Sequence, residues 1–355
     1  MIQKIKIIRP FILIAIGLLA CTPQKKKNTK ETPVEEKPVA KKFHPSKGFV
    51  EVMDPAFEKL IDKNAVVEVL AEGFKWTEGP VWVPGENYLL FSDIPNNKVV
   101  KWKEGEGTKS YLTPSGHSGE VDRTGETGSN GLMLNANGQL VLCQHTDRQL
   151  AIMNADLTAP KPSYVVLTGH FEGKRLNSPN DLDIHSNGDI YFTDPPYGLE
   201  KGMEDPAKEL DFQGVYRWSS QDSTTNLLYQ HLTRPNGIAL SPDEKQAYVA
   251  NSDPERAIWM VFDVNEDGSF SNERVFYDAT QDVKKLPGLP DGMDVSKDGI
   301  IYATGPGGVW VFEPSGKLLG RIRTGQSTAN CTIAADGYLY MTTDDYLTRI
   351  RIKKL

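Results

Sequence analysis

Asn236-Gly237-Ile238-Ala239-Leu240-Ser241-Pro242-Asp243-Glu244-Lys245-Gln246-Ala247-Tyr248-Val249-Ala250 carries the pattern that decides the fold. An Asx-Gly pair opens it, a short apolar run follows, a Pro-Asp turn interrupts, and a second apolar run closes it. Downstream, Ile258 to Val264, the turn Asn265 to Gly268, and Glu273 to Tyr277 add two more runs of the same kind. Runs this short, bounded by turn residues, read as antiparallel strands joined by tight turns. The same order returns in Met293 to Val295, Ile300 to Thr304, Gly308 to Phe312 and Lys317 to Arg323. Its opening pair recurs as Glu78-Gly79, Asn130-Gly131, Asn180-Asp181, Asn236-Gly237, Asp291-Gly292 and Asn330-Cys331, roughly 40 to 55 residues apart. A four-stranded unit at that period is what a propeller blade looks like in sequence. The expected fold is therefore all-β, a six-bladed β-propeller with four-stranded blades.

The last copy supplies only Cys331 to Ala334, Tyr338 to Thr343 and Tyr346 to Ile352, so one strand is missing. Ala65 to Leu70 is β-branched, precedes the first copy and has no blade of its own, which assigns it to close the last blade and remove an exposed edge. Helical periodicity is nearly absent, apart from a short turn near Pro55 to Ile61.

The ends of the chain carry a different message. Lys4, Lys6 and Arg9 precede an apolar run from Phe11 to Ala20, the charged and hydrophobic regions of an export signal. That run is too short to span a bilayer, and it ends at Leu18-Leu19-Ala20-Cys21, which resembles a lipobox with Cys21 as the lipidated residue. From there to Ser46 the chain is mostly Lys, Glu, Pro and Thr, and cannot bury enough surface to fold. The expected organisation is a signal peptide over 1–20, a disordered tether over 21–46 and the propeller over 47–355. It places the protein in the cell envelope, lipid-anchored to a membrane through Cys21, at the outer membrane or periplasmic face of a Gram-negative cell. A net charge of −7 argues against nucleic acid as a partner. Beyond Cys21 only Cys143 and Cys331 remain, both in strand contexts, and they read as buried free thiols.

In a propeller the first strand of each blade lines the central channel, so the residues that open the copies are expected to converge. Those openers are Glu78, Asn130, Asn180, Asn236, Asp291 and Asn330, two carboxylates and four amides. Such groups facing one another without a lysine or arginine call for a cation between them. Oxygen ligands of this kind suit one divalent ion, calcium first, with magnesium, manganese or zinc as alternatives.

The ordered set Thr77-Glu78-Gly79-Pro80-Val81-Trp82, Ser129-Asn130-Gly131-Leu132, Arg175-Leu176-Asn177-Ser178-Pro179-Asn180-Asp181, Thr193-Asp194-Pro195-Pro196-Tyr197-Gly198, Arg234-Pro235-Asn236-Gly237 and Pro290-Asp291-Gly292-Met293 resembles the gluconolactonase-like group. That group includes senescence marker protein and the luciferin-regenerating enzyme, and the resemblance runs from about Gly73 onward. It implies metal ligands at Glu78, Asn236 and Asp291, with Asn180 at the metal or the substrate. In the senescence marker branch an arginine lies two residues before the matching asparagine; here Ser178 stands there, closer to the bacterial gluconolactonases.

The implied function is hydrolysis of a sugar-acid lactone, a small-molecule substrate, with the ion polarising the carbonyl and water attacking. Asp291 is the first candidate base, with another acceptor or a metal-bound hydroxide as the alternative, and His145, at the end of a strand, is expected to reach the cavity as a proton shuttle. Asn130, Asn180 and Tyr197 are the candidate substrate contacts, Tyr197 held by the rigid Asp194-Pro195-Pro196 turn. The polar loop with His117, Glu120 and Asp122 is long for a blade junction and reads as a cover for the channel mouth. Two other functions use the same residues: a calcium-dependent phosphotriester or fluoridate hydrolase, and a non-catalytic surface propeller that binds sugar or protein.

Overall fold

A computed structural model of the chain describes residues 44–119 and 123–353. The signal, Cys21 and the tether lie outside the described residues except for the last three tether positions. There the His44 imidazole caps a short 3-10 turn, Pro45–Lys47.

The repeat becomes six four-stranded antiparallel sheets, one of them extended by a fifth strand. The copy that decided the fold is built from Pro235–Leu240, Gln246–Asp253, Arg256–Val264 and Phe270–Asp278, each paired with the next. The last blade has the predicted closure. Glu68–Glu72 pairs antiparallel with Tyr346–Arg351, Glu68 opposite Arg349 and Glu72 opposite Tyr346, slightly downstream of the expected Ala65 to Leu70. Pro55–Lys59 forms the expected short turn, as a 3-10 helix. Two additions go beyond the sequence reading. Phe49–Val52 adds an outer strand to the fifth blade by pairing with Leu318–Arg323, and a small hairpin, His170–Phe171 with Lys174–Arg175, forms a separate two-stranded sheet that packs Phe171 against Tyr216 of the third blade.

Hydrophobic packing explains why the ring holds. The core divides into clusters, each at one interface between neighbouring blades. Trp259 and Tyr248 of the fourth blade meet Trp310 and Phe312 of the fifth, and Leu89 and Phe91 of the first meet Tyr340 and Leu347 of the sixth. The remaining interfaces follow the same rule, so the buried surface runs continuously around the axis. Alternation within each strand sends one set of side chains to the preceding blade and the other to the following one. Cys143 and Cys331 are buried free thiols in two of these clusters.

Candidate active site

The first strands of the blades surround a cavity of about 420 Å3 at one end of the axis. Its wall includes Glu78, Asn130, Asn180, Asn236, Asp291 and Tyr197, so the structure brings the four candidate ligands and the three candidate substrate contacts together. Each opener precedes a residue that touches the next blade. Gly131 N donates to Asn180 O at 2.8 Å, and Gly292 N donates to Ala329 O at 2.7 Å.

This register corrects one expectation. Asn330 does not reach the cavity; it occupies the slot that glycine fills in four of the blades, and Ala329 stands where the opener should be. In the third blade Asp181 fills the same slot. Asn330 Nδ2 donates to Asp181 Oδ2 at 3.2 Å, so two blades on opposite sides of the axis are tied by a polar bar. The glycines make room for it. A Cβ on Gly131 would lie 2.7 Å from Asp181 Oδ1, and one on Gly292 would overlap the Asn330 amide. Burial pushes the Asp181 carboxyl up to about 7, against hydrogen bonds from Leu182, Asn330 and Ile238 that lower it.

The donors in the cavity are unusually bare. Asn130 Oδ1, Asn180 Oδ1 and Asp291 Oδ1 are buried and have no hydrogen-bond partner. Glu78 is buried too, and one of its oxygens accepts from its neighbour's amide, Gly79 N, at 3.0 Å. The Asn236 amide is steered by Ser252, to whose Oγ its Nδ2 donates at 2.9 Å. Orphaned buried oxygens are costly. Burial raises both carboxyls above their usual range; the Asp181 charge adds to this at Glu78, and the Glu78 charge adds to it at Asp291. A divalent ion among these oxygens would satisfy the orphans and relieve the repulsion, and the donor set is all hard oxygen. The residues therefore fit the ion that the sequence implied. Among the described residues no group of three or more His, Cys, Asp and Glu offers a metal site.

His145 departs from expectation. It follows the strand Leu140–Gln144, is fully buried, and is absent from the cavity wall, because the backbone at Gly198 packs against it. Its Nδ1 instead lies 3.4 Å from Glu126 Oε2, and Glu126 lines the cavity. Glu126 thus stands between the buried imidazole and the site, while neither ring nitrogen of His145 makes a hydrogen bond among the described residues. The sequence reading missed it; the available signal was its place four residues ahead of the opener Asn130, on the loop expected to cover the mouth. His117, from the same loop, lies in a separate surface depression with Arg123 and Arg175. Tyr197 faces the cavity, and burial, with the Asp291 charge adding to it, pushes its hydroxyl up, so it stays a proton donor. Ser178 is not part of the cavity wall. Its Oγ donates to Pro195 O at 2.6 Å and accepts from Gly198 N at 2.9 Å, fixing the turn that presents Tyr197.

Residues 76–345 match the family model described as SMP-30/Gluconolactonase/LRE-like region. The chain belongs to this family. Among its relatives, the gluconolactonase of Zymomonas mobilis is 37% identical over 313 residues, covering 86% of each chain. A solved gluconolactonase from Xanthomonas campestris superposes with a TM-score of 0.73 at 28% identity, covering 89% of this chain and 99% of that one. A calcium-binding protein, regucalcin, from Agrobacterium tumefaciens shares the fold with a TM-score of 0.61 at 16% identity, over 81% of this chain and 94% of that one. The resemblance and the propeller expected from sequence are borne out, and the expectation of a gluconolactonase-like enzyme is borne out at the level of the family.

Proposed function

We propose that this protein is a divalent-metal-dependent lactone hydrolase whose reaction takes place among Glu78, Asn130, Asn180, Asn236 and Asp291. The observation that carries the reading is the cluster of partnerless buried oxygens on Asn130, Asn180 and Asp291 beside Glu78, opening into a substrate-sized cavity. The names of the Zymomonas and Xanthomonas relatives support gluconolactone as the reference substrate, and the regucalcin neighbour supports calcium.

Glu78, Asn180, Asn236 and Asp291 would hold the ion, which supplies Lewis-acid polarisation of the lactone carbonyl. Asn130 and the protonated Tyr197 hydroxyl orient the substrate from the wall. Asp291, ionised beside the ion, takes a proton from the attacking water. The proton taken by Asp291 ends on the departing ring oxygen, relayed by Glu126, which lines the cavity 3.4 Å from His145 Nδ1, so that His145 acts through Glu126 without touching substrate. The product is the open hydroxy acid.

The sequence also supports a cellular setting: export through residues 1–20, lipidation of Cys21 and tethering through 21–46 at the envelope. Cys21→Ser is expected to move the protein from the membrane fraction to the soluble one; unchanged fractionation would remove the anchor from the reading.

The enzymatic test is pH-stat hydrolysis of gluconolactone by the full chain in mild detergent, with calcium, magnesium, manganese or chelator. Metal-dependent turnover that disappears in folded Asp291→Ala is the expected result. A folded, calcium-binding protein that turns over no lactone with any of the metals would overturn the proposal.

A further inference from the structure

The cavity is lined by oxygen-bearing side chains over most of its rim and gathers its large apolar side chains on one side. Five of the six opener positions carry an oxygen-bearing side chain, and the sixth is Ala329. Next to it, facing Ser327 and Thr328 at the entry of the sixth blade, the wall is completed by Val283, Leu286 and Leu289, which sit on and after the short helix Thr280–Val283 in the junction between the fourth and fifth blades. This junction lies against the sixth blade: a Cβ at Gly288 would be 3.4 Å from Ser327 Cα. Trp76, just ahead of Glu78, adds an aromatic surface to the same cavity.

Among the described residues these four large apolar side chains belong to none of the interblade clusters, and each is only partly buried. Apolar groups that contribute nothing to the core but line a cavity beside reacting groups are available to a ligand. No lysine or arginine lines the cavity among the described residues; Arg234 acts on the Tyr197 hydroxyl without forming part of the wall. A phosphate or carboxylate on the substrate's far end, away from the ion, would therefore meet no cationic side chain to pair it. Size points the same way. About 420 Å3 lies in the range of roughly 300–1,000 Å3 typical of pockets that enclose ligands larger than a bare ring.

We infer that the preferred substrate is a neutral lactone with an apolar substituent, its ester at the oxygen-lined side and its hydrocarbon arm against Trp76, Val283, Leu286 and Leu289. The inference rests on the lactone-hydrolase reading and narrows it to a substrate class. A sugar lactone, hydroxylated all round, uses only the polar half of the cavity; an alkyl δ-lactone uses both. Each methylene that leaves water for the apolar wall is expected to raise kcat/KM about fourfold until the cavity is filled.

The test compares glucono-1,5-lactone, its 6-phosphate and a series of δ-lactones with alkyl arms of increasing length, using the full chain with calcium in mild detergent. The expected result is a kcat/KM that climbs with arm length past the value for gluconolactone, with the phosphate ester turned over most slowly. Leu286→Asn, outside the core clusters, is expected to flatten the climb about tenfold relative to its effect on gluconolactone, with an unchanged thermal melt. Turnover of gluconolactone with no dependence on arm length would overturn the inference and leave the lactonase reading standing. Preference for the phosphate ester would do the same. Failure to hydrolyse any lactone would overturn both.

Discussion

Removing the ion offers a test in which two signs must come out together. The perturbation is chelator against calcium in the wild type and in Asp291→Asn, followed by thermal melts at pH 5 and pH 8. At a free calcium concentration of about 100 times Kd, binding to the folded state alone adds about 2.7 kcal/mol. The described propeller has about 310 residues, which at about 2.1 cal/mol/K each gives an unfolding entropy of about 0.65 kcal/mol/K. The expected calcium shift in Tm is then about 4 °C. In the chelated protein Glu78 and Asp291 both have folded pKa values above their unfolded ones, with burial as the main cause. A raised carboxyl contributes stability that is fully present below its unfolded pKa, near 4, and is lost as pH rises through the folded value. The chelated wild type should therefore be weaker at pH 8 than at pH 5, and calcium should rescue it most at pH 8. Asp291→Asn removes one of the repelling charges and one of the ligands. Its metal-free form should lose less stability between pH 5 and pH 8, and calcium should no longer shift its Tm. A variant that keeps the 4 °C shift would refute the assignment of Asp291 as a ligand. A chelated wild type as stable at pH 8 as at pH 5 would refute the electrostatic argument itself.

Three other perturbations probe separate parts of the structure. Gly292→Ala places a Cβ into the Asn330 amide and should break the bar to Asp181, lowering stability by about 1–3 kcal/mol in denaturant melts. Kinetics should show kcat falling more than KM rises, because the openers that flank the bar move with it. Glu126→Gln and His145→Gln should each lower kcat by about 10²-fold, and the double variant should cost little more than either single one, since the imidazole reaches the site only through that carboxylate. Additive losses on the pH-stat would separate the two residues. Trp259→Ala, in the interface between the fourth and fifth blades, should cost about 3–5 kcal/mol in the same melts while leaving the calcium shift in place.

The fold was legible because a propeller repeats itself: four short strands, turn residues between them and an Asx or Glu at or next to each opening are visible without any long-range information. The closing strand was legible for the opposite reason, as a surplus β-branched run matched to a blade that was one strand short. What sequence could not show was depth. His145 and Glu126 are both polar residues near the second blade, yet the turn ending at Gly198 packs over His145 and leaves Glu126 in the wall. The outer strand Phe49–Val52 was equally hidden, since its pairing with Leu318–Arg323 joins positions far apart in the chain.

The misplacement of Asn330 shows how the site is built. Alignment on an Asx followed by a small residue put Asn330 among the openers, but the slot that matters is set by the contact to the next blade, where Gly292 N meets Ala329 O. Moving one position along a strand moves a side chain to the other face, so the sixth blade gives the cavity a methyl group and gives the channel below it an amide. Both consequences follow from that one shift. The amide spans the axis to Asp181 and supports the ring of oxygens from beneath. The methyl leaves one sector of the ring without a donor, and that sector is where the junction carrying Val283, Leu286 and Leu289 comes down. A propeller with six oxygen-bearing openers would present a polar rim all round, suited to enclosing an ion and little else. This one has a floor, a sided wall and room beside the oxygens, the arrangement an enzyme needs when a substrate with two unlike ends must lie one way.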